Sequence, residues 1–124
     1  MSMENKGGQI KNWRTHPHLN SREQNLLERC RDLIHEVVQE ATVILYGSRA
    51  RGDAQPDSDY DLLILTKGSV SLRLDDAILE KLYPLELETG AVLSIATFNK
   101  KEWDSPLYQA MPYNQNIRRE GIVL

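Results

Sequence analysis

Leu45-Tyr46-Gly47-Ser48-Arg49-Ala50-Arg51-Gly52-Asp53-Ala54-Gln55-Pro56-Asp57-Ser58-Asp59-Tyr60-Asp61-Leu62-Leu63-Ile64 is the stretch on which the reading of the chain turns. Residues 42–46 form a continuous β-branched and apolar run, the pattern of a strand covered on both faces. Gly47-Ser48 ends it, and residues 49–52 leave room for about one helical turn. Residues 53–58, with Pro56 and several Asp and Ser, carry turn chemistry. A second strand is expected over residues 59–66, opening on Asp59 and Asp61. Glycine lets backbone approach closely, arginine and backbone N–H groups favour anions, and paired aspartates favour hard cations. The stretch reads as a metal–nucleotide site.

Asp59 and Asp61 stand two residues apart, so in a strand both project from one face with Cα atoms about 6.5 Å apart. Such a pair can share divalent ions, and Mg²⁺ typically takes one or two carboxylates together with waters and substrate phosphate oxygens. Gly47-Ser48 at a helix entry offers free N–H groups and a hydroxyl to a phosphate, with Arg49 and Arg51 in reach. Each feature alone is also ordinary turn punctuation. Their conjunction carries the reading. The stretch is neither a Walker A loop nor a dinucleotide-binding glycine pattern, because no Gly-Lys-Ser/Thr and no Gly-x-Gly-x-x-Gly occurs.

Outward from this centre, residues 20–39 predict a helix. Leu26, Leu27, Cys30, Leu33, Ile34, Val37 and Val38 recur at the spacing of one buried face. Ser21 with Gln24, or Asn20 with Glu23, fits a capping box. Cys30 lies in the apolar stripe and reads as an inert core thiol; His35 reads as a surface histidine. Residues 70–83 predict a second helix broken by Pro84, with 85–90 as a connection, and residues 91–98 a third strand. A last helix is expected over 106–119, interrupted at Pro112, and residues 121–124 as an edge strand or tail. Trp103, Tyr108, Met111 and Tyr113 are expected to close the core rather than to form a partner surface. The order of elements predicts an α/β (α+β) fold, a small mixed central sheet of three to four strands packed by helices. Residues 1–18 read as a flexible polar lead-in whose Trp13 could dock on the body or on a partner. His16-Pro17-His18 reads as part of that tail, not as a metal site, and residues 19–124 as one domain.

The totals exclude several classes. A length of 124 residues suits one core, and a net charge of −3 disfavours a protein that tracks polymeric nucleic acid through its phosphates. The single cysteine rules out an intramolecular disulfide or a multi-cysteine metal cluster. No apolar run nears membrane-spanning length and no signal-peptide core opens the chain, so no membrane is expected and a cytoplasmic protein is.

Gly47-Ser48-Arg49-Ala50-Arg51-Gly52 with Ser58-Asp59-Tyr60-Asp61-Leu62 resembles the signature of the minimal nucleotidyltransferases, in the DNA polymerase β-like superfamily. The resemblance implies catalytic Asp59 and Asp61 as Mg²⁺ ligands, and the triphosphate of ATP or another NTP held near Gly47, Ser48, Arg49 and Arg51. It implies transfer of a nucleoside monophosphate to an acceptor hydroxyl with release of pyrophosphate. Minimal members are often paired with a small helical HEPN-domain protein, the nucleotidyltransferase being the antitoxin of a toxin–antitoxin pair; a homodimer is the other expected partner. Many active members carry a third carboxylate on a later strand. The third strand here has none, Ser94 stands near that place, and Glu86 and Glu88, which otherwise read as part of a solvated loop, are the candidate substitutes. The alternative function is a catalytically degraded nucleotide-binding or partner-binding module of the same fold.

Overall fold

The computed structural model describes residues 16–124. Its centre is the expected β-branched run: β1, Thr42–Tyr46, is buried at its three middle positions. β2, Tyr60–Thr66, returns antiparallel to β1 with Leu45 opposite Leu62 and Tyr46 opposite Asp61. β3, Leu93–Asn99, lies parallel to β2, with Ser94 opposite Asp61. A parallel neighbour requires a crossover, and the helix α3, Leu72–Thr89, provides it. The two-residue β4, Ile122–Val123, pairs antiparallel with β1 on its other side. The sheet is therefore mixed and four-stranded, in the order β3-β2-β1-β4.

Strand periodicity divides the core into two layers. On one face Val43, Leu45, Leu62 and Ile64 pack with Leu27, Cys30 and Ile34 of α1, Ser21–Val37, and with Ile78 and Leu82 of α3. On the other, Ile44, Leu63 and Leu65 pack with Trp103 and Ile117. Those two come from the short helices α4, Lys100–Trp103, and α6, Pro112–Glu120, with α5, Pro106–Gln109, between them. Asp61 is two residues before Leu63, so it shares the face of Trp103. Full burial pushes the Cys30 thiol up to about 12, which keeps it protonated and unreactive.

α1 starts at the second of the two expected capping boxes: the Asn20 side chain accepts from the Glu23 N–H at 2.8 Å and Glu23 accepts from the Asn20 N–H at 3.1 Å. Three expectations need correction. α3 does not stop at Pro84 but continues to Thr89, capped by Gly90 at φ +78°. Leu82 and Leu85 on either side of the proline are both buried, and that packing holds the helix through it. The C-terminal segment is interrupted before Pro112, as expected; Pro106 and Pro112 each occupy a first turn, where a missing N–H loses nothing. His35 is not a free surface residue, since its Nε2 lies 2.9 Å from the Ala41 carbonyl oxygen. His16 is buried and the His18 ring lies over Gly52, so structure begins before the expected boundary at residue 19. Trp13 and the rest of the lead-in lie outside the described residues. No described helix is long and apolar enough to cross a membrane.

Candidate functional site

Register brings the two halves of the central stretch together. Because Tyr46 faces Asp61 across β1 and β2, the turn that leaves β1 lies against the opening of β2. Gly47 adopts φ +76°, ψ −159°, and a Cβ there would collide with Oδ2 of Asp61. Glycine is demanded twice, by the backbone and by the carboxylate beside it. The one-turn helix α2, Ser48–Arg51, follows, with the Gly47 carbonyl accepting from the N–H groups of Ala50 and Arg51 at 3.0 Å each. As in any first turn, the N–H groups of Ser48 and Arg49 have no acceptor within the helix. They are donors beside a pair of carboxylates.

Asp59 is exposed and Asp61 half-buried, both on the rim of the sheet face that carries Trp103. The Asp61 carboxyl is held above its ordinary value, first by lost hydration and then by the charge of Asp59, with Arg51 pulling the other way. Ser94, opposite Asp61 on β3, donates its hydroxyl to Oδ2 of Asp59 at 3.0 Å. Among the described residues no group of three or more His, Cys, Asp or Glu could hold a metal. Two like-charged carboxylates on one rim, one exposed and one half-buried, nevertheless suit a hard divalent cation that draws its remaining ligands from water and phosphate. The donor set fits Mg²⁺.

The two arginines divide. The Arg49 guanidinium donates to the Ser58 carbonyl at 2.9 and 3.2 Å, to the Pro56 carbonyl at 3.1 Å and to Glu23 at 3.3 Å. It also lies 4.3 Å from the centre of the Tyr60 ring, whose hydroxyl donates to the same Glu23 at 3.2 Å. All of its nitrogens are engaged, on the face opposite Asp61. Arg49, expected to hold phosphate, here latches residues 53–58, which lead into Asp59, to α1 and α2. Arg51 keeps looser ties, to Asp53 at 3.2 Å and Glu120 at 3.2 Å, and is half-exposed on the side of Asp61.

A family model for the nucleotidyltransferase domain matches residues 24–121. The chain belongs to that family. Among individually curated proteins none matches it. The match spans every element from α1 to the residue before β4 and takes in the whole of the Gly47–Asp61 device.

Within this nucleotidyltransferase domain the expected substitutes for a third acid are elsewhere. Glu86 and Glu88 are in the last turns of α3, where a spacing of two places side chains on different sides of the helix rather than on one strand face. Glu86 accepts from the Leu93 N–H at 2.8 Å, and Glu88 forms a two-pronged pair with Arg29 at 2.7 and 2.8 Å. Neither reaches the Asp pair; the place opposite Asp61 belongs to Ser94. A cleft of about 430 Å³ opens on the other face, lined by Arg22, Glu23, Arg29, Arg49, Tyr60 and Gly90 among others, and contains neither aspartate. Sequence reasoning missed Glu23 as the partner of Arg49 and Glu120 as the partner of Arg51; the capping box marked Glu23 for another task, and nothing local marked Glu120. It also missed Tyr46, opposite Asp61 in the register, whose half-buried phenol sits 3.0 Å from that of Tyr113.

Proposed function

We propose that this nucleotidyltransferase domain binds Mg²⁺ and ATP, or another NTP, and transfers a nucleoside monophosphate to an acceptor hydroxyl. The observation that supports the reading is the close approach of Gly47 to Asp61, which sets the turn that opens α2 beside the paired carboxylates. Asp59 and Asp61 would hold the ion, Gly47 and Ser48 would present backbone N–H and hydroxyl to the triphosphate, and Arg51 would swing from Asp53 to a phosphate oxygen. Bound there, Mg²⁺ neutralises phosphate charge and stabilises the leaving pyrophosphate. Arg49 acts at one remove, by fixing the loop before Asp59. The acceptor is taken to come from a partner, either a small helical HEPN-type protein for which this chain serves as antitoxin, or a second copy. ATP as substrate and the lone buried thiol suit the cytoplasm.

The test is transfer of label from α-labelled ATP to a co-purified partner, with calorimetry of Mg²⁺-ATP binding. Asp59→Asn and Asp61→Asn are each expected to abolish transfer. Full transfer by both variants would refute the reading. A second reading, a binding module with degraded chemistry, is favoured by the hydroxyl of Ser94 in a place where many active relatives are expected to carry a carboxylate. It predicts binding without pyrophosphate release, and it predicts that Ser94→Asp raises turnover.

A further inference from the structure

The group that stands against Asp59 is a hydroxyl, the same functional group the proposed reaction consumes. We propose that Ser94 is an acceptor: the domain transfers a nucleoside monophosphate to its own Ser94 Oγ. This inference rests on the nucleotidyl-transfer reading of the site.

Three observations support it. The Ser94 hydroxyl donates to Oδ2 of Asp59 at 3.0 Å, the arrangement of a nucleophile beside a proton acceptor. Among the described residues it is the hydroxyl that hydrogen-bonds to either aspartate, whereas the Tyr46 phenol is tied to Tyr113 and held protonated by burial. The placement is rigid, because β2 and β3 are paired without a break from Tyr60–Leu93 to Thr66–Asn99. Sites built on strands hold their side chains more tightly than sites on loops.

The step balances with the substrate already named. A bond forms between Ser94 Oγ and the α-phosphorus while the bond from that phosphorus to the bridging oxygen of pyrophosphate breaks. The electron pair leaves with pyrophosphate, and the serine proton passes to the Asp59 carboxylate and then to water. The product is a phosphodiester on Ser94. It places a nucleotide and a negative charge beside Asp59, so it fills the site and stops further NTP binding. The addition is self-limiting at one nucleotide per chain.

The experiment incubates the purified full chain with MgCl₂ and α-labelled ATP, followed by intact mass measurement and peptide mapping. Thermal melts with and without Mg²⁺-ATP run alongside. The expected result is one AMP per chain on the peptide containing Ser94, with loss of the ATP-dependent rise in melting temperature once labelled. Ser94→Ala is expected to lose at least ten-fold of the label while keeping that rise, which shows the variant folded and binding. Ser94→Thr, which keeps a hydroxyl on a strand-favouring side chain, restores labelling. Equal labelling of Ser94→Ala, label on another residue, or binding without label overturns this inference and leaves the nucleotidyl-transfer reading standing. No label together with no ATP-dependent rise overturns both.

Discussion

Gly47 and Asp61 form one unit at the residue scale, since the first exists to let the second come close. Its backbone, φ +76° and ψ −159°, falls in a region essentially reserved for glycine, where another residue costs on the order of 1–3 kcal/mol. Gly47→Ala adds a collision with the Asp61 carboxylate to that strain. It is expected to destabilise by about 1–3 kcal/mol in urea denaturation and to lose the Mg²⁺-ATP response together with transfer. Asp61 gives the opposite sign. Its folded pKa is raised above the ordinary 3.8, so the native state binds that proton more tightly than the unfolded chain does. Without a cation, stability therefore falls as pH rises from 3.8 through the folded value, and the deficit persists at neutral pH. Asp61→Asn is expected to melt higher than the unmodified apo-protein at neutral pH. The difference should vanish below 3.8, where the carboxyl is protonated in both states. Melts across that range check it.

At the scale of elements, the parts that were legible in the sequence are those set by neighbours along the chain. β1, the glycine turn, the single turn of α2, the strand of Asp61 and the cap of α1 all follow from residues within a few positions. The parts that were not legible are set across space. The latch formed by Arg49 depends on Glu23 of α1 and on two loop carbonyls, and a guanidinium beside Gly-Ser looks the same in sequence whether it faces phosphate or Pro56. Pro84 misleads for a related reason, since a helix breaker was outweighed by the burial of Leu82 and Leu85 against the sheet. Misreading it also misplaced Glu86 and Glu88. A proline inside a helix is less favourable than alanine by about 3 kcal/mol, through a lost i→i−4 bond and a ring clash. Pro84 is itself exposed, so alanine there disturbs no packing. Pro84→Ala is expected to raise stability by about 1–3 kcal/mol, read as a higher denaturation midpoint with an unchanged slope.

Taken whole, the molecule separates its stability from its chemistry. Two apolar layers on the faces of one sheet hold the fold, and the aspartates sit at the rim, outside both. The Asp61 carboxylate opposes folding rather than supporting it, because lost hydration and the charge of Asp59 hold its pKa above the ordinary value. A structural metal site would reverse this relation, and chelation would then unfold the chain. Here chelation with EDTA is expected to leave the apo melting temperature unchanged. Ligand should act only by mass action on the native state, adding RT ln(1 + [L]/Kd), about 2.7 kcal/mol at a hundred-fold excess over Kd. For a domain of this size that is a rise of roughly ten degrees. Mg²⁺ together with an ATP analogue that cannot be cleaved between its α and β phosphates should produce it, either alone should produce much less, and Asp61→Asn should abolish it while melting higher to begin with. Thermal melts of the two proteins under the four conditions measure all of this at once. A fall in melting temperature on adding EDTA would mean that the rim is part of the fold after all, and the separation argued from the two apolar layers would be lost.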